Sequence, residues 1–395
     1  MIDLYLLSVI IFFGILAVLI YNDRKNIDFK YILFMRRTKR FRDLLDKIAQ
    51  KSPRFWKIIG TIAFIVSIGV MVFGTWNLIN VAYLIYTGVI TQPSLQIILP
   101  VPTSETIVSP GFIGIPFWFW IIVIAIVLIP HETFHGIIAR AEKIKLKDVG
   151  LMLLAIFPGA FVEPDDKQLK KSKIMTRLRI FSAGSFINIV IGISIIILVQ
   201  SLVWAPNMNG LLITNVNATS PAGQVGLQPG MILQSIDGKK LDIGFYDYSI
   251  LVLMIPKSNS ENVTQYLSSL VLSQRLSNYK PGDPVTLAVD GRDYDITLAS
   301  SPYFKDFPFI GIGTRLNVSN LSLFVVILPL LGMIASISIL VGLFNILPIY
   351  PLDGGLISKA ISEKYAKKKA KYIYMGITYF LVLIILYAFV SGFFA

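Results

Sequence analysis

The chain has 395 residues, 55% of them hydrophobic and 15% charged, with a mean hydropathy of +0.70. A water-soluble globule cannot hide that much apolar surface, so the composition points to a polytopic α-helical membrane protein. The absence of cysteine excludes disulfides and thiolate metal sites, and the net charge of +13 reads here as loop charge that fixes orientation, with no nucleic-acid partner.

Residues 4–21 form an unbroken apolar run, long enough to cross about 30 Å of hydrocarbon. No small-residue cleavage site follows it, so it is expected to persist as a helix. A basic stretch from Arg24 to Lys57, including Arg36, Arg37, Lys39, Arg40 and Arg42, reads as a cytoplasmic loop between two spans. The second span is expected over 58–80. Residues 81–115 hold Pro93, Pro100, Pro102 and Pro110 and read as an outside loop.

The third span, 116–140, carries P-H-E-T-F-H at Pro130–His135. His131 and His135 are the only histidines in the chain. Residues four apart share a helix face, so both imidazoles can reach one ion. Glu132 stands beside them, placed to take a proton from an activated water, which is the H-E-x-x-H pattern of zinc peptidases. Ionisable groups in so apolar a segment are costly unless they serve a function. Pro130 removes a helix hydrogen bond at the same place. At 1.5 Å per residue, His131 lies roughly 22 Å from the start of the span.

Residues 149–162 are apolar, too short to span, and broken by Pro158 and Gly159; they read as a re-entrant hairpin, an interfacial segment or a buried loop. A fourth span, 180–203, contains Gly184, which permits close helix approach, and Asn188, a buried amide in need of a partner. Residues 205–320 are polar, with turns at Pro229-Gly230 and Asp237-Gly238 and a hairpin around Asp290-Gly291. Their S-P-A…G-L-x-P-G…I-D-G pattern resembles a PDZ domain. That resemblance implies a mixed α/β fold inserted between the fourth and fifth helices, binding a peptide or chain end by strand addition. Gly210, Leu211, Leu212 and Ile213 are the candidate edge. Asn217, Asn262, Asn317 and Asn320 each open a glycosylation sequon, in accord with an outside domain.

The fifth span, 321–344, leads into N-I-L-P-I-Y-P-L-D-G-G at Asn345–Gly355. Pro348 and Pro351 forbid a regular helix, so Asp353 is expected on irregular backbone inside a protein cavity. The sixth span is 372–393. Loops 22–57, 141–179 and 356–371 are basic and the others are not, which gives six spans with both termini and the PDZ-like segment outside. His131, His135 and Asp353 then share the cytoplasmic side. The expected divisions are 1–115, 116–204, 205–320 and 321–395.

With H-E-T-F-H at 131–135 and N-I-L-P-I-Y-P-L-D-G-G at 345–355, the chain resembles the site-2 proteases, which are intramembrane zinc metalloproteases. The resemblance covers about 116–356. It implies one zinc per chain held by His131, His135 and Asp353, Glu132 as general base and acid, and Asn188 steadying the scissile carbonyl or the substrate. Asn345 is a further candidate substrate contact. Ser185 departs from the family, where proline is common. Residues 149–162 match a membrane-embedded strand pair that receives unwound substrate. The expected function is cleavage of transmembrane helices of membrane-anchored regulators in the cell membrane, filtered by the PDZ-like domain. The alternatives are a PDZ scaffold with a vestigial metal site and a metal transporter; the latter fits poorly with spans nearly free of charge outside the motifs.

Overall fold

The computed structural model describes residues 3–31, 33–90, 95–104, 106–109, 111–154, 157–204, 208–245, 260–302, 304–318 and 327–391. Pro93, Pro110, Asn320 and residues 321–326 lie outside them. The chain forms two compact units, Met1–Ser194 with Ile334–Ala395, and Ile195–Met333.

The first unit opens with α1 (Leu4–Asn22), whose first turn is capped by the Asp3 carboxylate accepting from the backbone of Tyr5 and Leu6. Strands β1 (Ile27–Lys30) and β2 (Leu33–Arg37) follow, then α2 (Lys39–Lys51) and α3 (Pro53–Tyr86), which has proline in its first turn. Next come β3 (Ile97–Val101), β4 (Ile107–Ser109), β5 (Phe112–Pro116), α4 (Phe117–Ala141), β6 (Leu146–Leu154), β7 (Phe157–Pro164), α5 (Asp166–Lys171) and α6 (Ile174–Val199).

The second unit holds β8 (Met208–Val216), α7 (Pro221–Gln224), β9 (Ile232–Ile236), β10 (Lys239–Lys240) and α8 (Ser260–Leu276). Strands β11 (Pro284–Val289), β12 (Arg292–Thr297), β13 (Ala299–Ser300), β14 (Pro308–Phe309) and β15 (Ile312–Val318) complete it. The chain ends in α9 (Leu328–Asn345), α10 (Asp353–Tyr365) and α11 (Ala370–Ser391).

Among the described residues, six helical segments are long and apolar enough to cross a membrane: 4–22, 53–86, 117–141, 174–202, 328–345 and 367–391. Their outward faces are apolar: Ile65, Val72 and Phe73 on α3 and Leu383 on α11 all stand more than half exposed. Such faces are stable only where the solvent is lipid.

The segments between the spans carry more structure than their composition suggests. The basic stretch 22–57 contains the β1–β2 hairpin and α2, which buries Leu45 and Ala49 against α4. Leu45 sits where a side chain at Gly136 would have to go, so this glycine lets α2 lie close against the turn that follows the histidines. Arg140 fixes the contact through a bidentate bond to Asp46, 2.8 Å on each arm. The loop at 81–115 holds a three-stranded sheet ordered β3-β5-β4.

Residues 146–154 and 157–164 form an antiparallel strand pair that reaches beyond the apolar stretch 149–162 at both ends. The pair extends to a four-stranded sheet ordered β1-β2-β6-β7. Strand β7 is an edge, which is why Pro158 and Pro164 are tolerated in it.

The second unit is built on a sheet ordered β12-β11-β9-β8-β15, with β10 on β9. Its apolar core includes Val199 and Leu328, so the compact unit reaches beyond 205–320 at both ends. The expected peptide-binding edge at Gly210, Leu211, Leu212 and Ile213 needs correction. Strand β8 is internal: Leu211 and Leu212 face Leu233 and Ile232 of β9 on one side and Leu316 and Arg315 of β15 on the other. Backbone groups paired on both sides cannot accept a guest strand. The outer strand on this side is β15, and there Ser268 of α8 donates to the Thr314 carbonyl at 2.7 Å.

Candidate metal centre

Three elements of the first unit meet at the two histidines. Helix α4 runs through Pro130 without ending and presents His131 and His135 one turn apart. Residues 346–352 are irregular, and Asp353 opens α10 directly after them. The third element, α6, packs its inner face against both.

The donor atoms converge. His131 Nε2 and His135 Nε2 are 3.2 Å apart. Asp353 places Oδ2 3.4 Å from the first and Oδ1 3.3 Å from the second. Two ligand atoms bound tetrahedrally to one zinc, each about 2.0–2.1 Å from it, stand about 3.3–3.4 Å apart. The imidazole nitrogens stand at that spacing, a different oxygen of Asp353 faces each of them, and among the described residues these three side chains form the His/Cys/Asp/Glu cluster able to hold a metal ion.

The protons are arranged for the same purpose. His135 Nδ1 lies 2.6 Å from the carbonyl oxygen of Ile180. A carbonyl only accepts, so Nδ1 carries the proton and Nε2 of the neutral ring turns a lone pair inward. His131 Nδ1 lies 3.1 Å from the Asn188 amide nitrogen, while Asn188 Oδ1 is buried with no hydrogen-bond partner among the described residues. Turning the amide over pairs Oδ1 with an Nδ1 proton and leaves His131 Nε2 bare as well. Two lone pairs and a carboxylate then face one small space, an arrangement that fits a cation.

Gly184 keeps that space open: a Cβ at this position would collide with Nε2 of both histidines. Its proximity to the rings explains the glycine better than helix approach does. Ser185, fully buried, donates to Asp353 Oδ2 at 2.9 Å. The Glu132 carboxylate accepts from the backbone N–H of Val162, at 3.1 Å, on the unpaired side of β7.

A cavity of about 600 Å³ reaches this cluster. His131, Glu132, His135, Val162, Asn345 and Asp353 line its inner end, and Asp166, Lys170, Arg177, Lys359 and Glu363 give it charged walls. Asn345 therefore faces the cavity, whereas Asn188 lies behind His131. The Ile180 carbonyl and the Val162 N–H are backbone groups with no signature in the sequence. Ser185 and Asn188 do leave a signal, as polar side chains in an apolar helix.

Comparison with known proteins agrees with these motifs. The profile of peptidase family M50 matches residues 119–386, more than half of the chain. An uncharacterized protein of Methanocaldococcus jannaschii is 25% identical over 363 residues, 91% of this chain and 86% of that one. The membrane-bound transcription factor site-2 protease homolog of Arabidopsis thaliana is 30% identical over 112 residues, 27% of this chain and 22% of that one. Among solved structures, the PDZ domain of an SdrC-like protein from Listeria monocytogenes shares 20% identity over 27% of this chain and 87% of that one, with a TM-score of 0.19. With that profile covering more than half of its length, the chain belongs to peptidase family M50, the membrane zinc metalloproteases of the site-2 protease type.

Proposed function

We propose that this protein is an intramembrane endopeptidase that cuts a transmembrane helix of a membrane-anchored regulatory protein, with one zinc per chain held by His131, His135 and Asp353. The observation that carries this reading is the meeting of those donors, from positions more than two hundred residues apart, beside Glu132 on a helix apolar enough to span the membrane. When bound, zinc supplies a Lewis acid for the scissile carbonyl and brings the acidity of water near neutral pH.

The chain's own residues do the rest. Glu132 takes the proton from the attacking water and delivers it to the leaving amine nitrogen. A substrate helix hides its peptide bonds in its own hydrogen bonds and must unwind before attack. The free side of β7, whose Val162 N–H already reaches Glu132, offers backbone groups to an extended segment laid beside the centre. Asn345, lining the cavity, contacts that segment. Asn188 reaches a substrate carbonyl only if its amide leaves His131, so we read it first as a support for the ring. The charged cavity walls give water a route to the site.

Basic loops at 22–57, 141–179 and 356–371 argue for a cell-membrane protein with both termini outside and the centre toward the cytoplasm. In this reading 116–204 and 321–395 are the two halves of the proteolytic core and 1–115 is an accessory pair of spans. Segment 205–320 is an outside PDZ-like domain that filters substrates, and a peptide or chain end would dock on β15 beside α8 once Ser268 releases Thr314.

The test is to incubate detergent-purified protein with single-span helices, with and without a zinc chelator. Cleavage within the apolar span, lost with chelator and regained with added zinc, is the expected result. Cleavage confined to exposed tails, or indifferent to the chelator, would reject the proposal.

A further inference from the structure

We infer that Ser185 is a positioning residue for Asp353, part of a polar stripe on α6 that orients all three donors; the inference rests on the metal reading above. Ile180, Gly184, Ser185 and Asn188 fall on one side of the helix at 3.6 residues per turn. Each serves a different part of the cluster. The Ile180 carbonyl takes the His135 Nδ1 proton, Gly184 clears room for both rings, Asn188 holds His131, and Ser185 holds Asp353.

The behaviour of Ser185 is unlike that of an ordinary helical serine. Such a hydroxyl usually donates back to the carbonyl four residues earlier. Ser182 does this, to Leu178 at 2.8 Å. Ser185 has the same option and instead spends its single proton on Asp353 Oδ2. Both serines are fully buried, so solvent competes for neither. Asp353 comes from a different helix, and its two oxygens face different histidines. Rotation of the carboxylate about its own bond would break that geometry, and the Ser185 hydroxyl fixes the rotation.

Partners of this kind typically contribute 10–100-fold in metal affinity. The test uses full-length detergent-purified protein, stripped of metal and titrated with zinc against a competing chelator. Ser185→Ala is expected to weaken zinc binding about 10–100-fold while circular dichroism of the metal-free protein keeps the wild-type helix content. Ser182→Ala, which removes a hydroxyl bonded only within its own helix, is expected to bind zinc as the wild type does. Wild-type affinity in Ser185→Ala overturns the inference. So does a loss of affinity matched by an equal loss in Ser182→Ala, or by a loss of helix content without metal, since either marks a packing role. A wild-type chain that takes up no zinc overturns the metal reading itself.

Discussion

Helix α4 carries two buried polar clusters, and they are built on opposite plans. Two turns beyond His135, Glu142 is met by cations and donors of the protein itself: Arg179 at 2.6 Å, the Thr176 hydroxyl at 3.0 Å and Lys57 at 3.9 Å. Its charge is answered, and the cluster ties α4 to α6 and α3. At His131 and His135 two imidazoles and a carboxylate meet, and among the described residues no lysine or arginine is paired with Asp353. A buried carboxylate is costly unless it is answered. The same helix shows how the protein satisfies such a charge when the purpose is structural, and the contrast supports the proposal that the second cluster receives a metal ion.

This contrast can be broken, and the largest effect should come from the chemistry. Glu132→Gln should lower cleavage of a transmembrane substrate by about 10²–10⁴-fold with zinc content unchanged, measured by gel assay and metal analysis. His131→Ala removes a donor, and zinc should fall from one per chain to a small fraction of that, with activity lost in parallel. Gly184→Ala should lose zinc as well, because the new Cβ meets both ring nitrogens, while circular dichroism keeps the wild-type helix content. Arg179→Ala strikes the other cluster. It should lower stability by about 2 kcal/mol, read as a lower melting temperature, yet leave one zinc per chain. If Arg179→Ala also emptied the centre, the two clusters would not be independent.

Much of this was legible in the sequence because its signals are coarse or rare. Six apolar runs announce six spans, and two histidines in 395 residues, four apart, leave little choice of metal face. Asp353 could be paired with them only through the resemblance to a family, since no periodicity links residues so far apart. What escaped was local pairing. The β1–β2 hairpin hides in a stretch whose basic residues read as loop, and the strands at 97–116 hide among prolines. Strand β8 looked like an edge because its own residues do not say that β15, a hundred residues later, covers its other side. The Ile180 carbonyl and the Val162 N–H act through backbone atoms, which any residue would supply.

If Asp353 completes the zinc site begun by His131 and His135, zinc content must depend on its carboxylate. Metal analysis of purified wild-type protein beside Asp353→Ala decides this. One zinc per chain is expected in the first and a small fraction of that in the second, at equal helix content. Equal zinc in both proteins would remove Asp353 from the site.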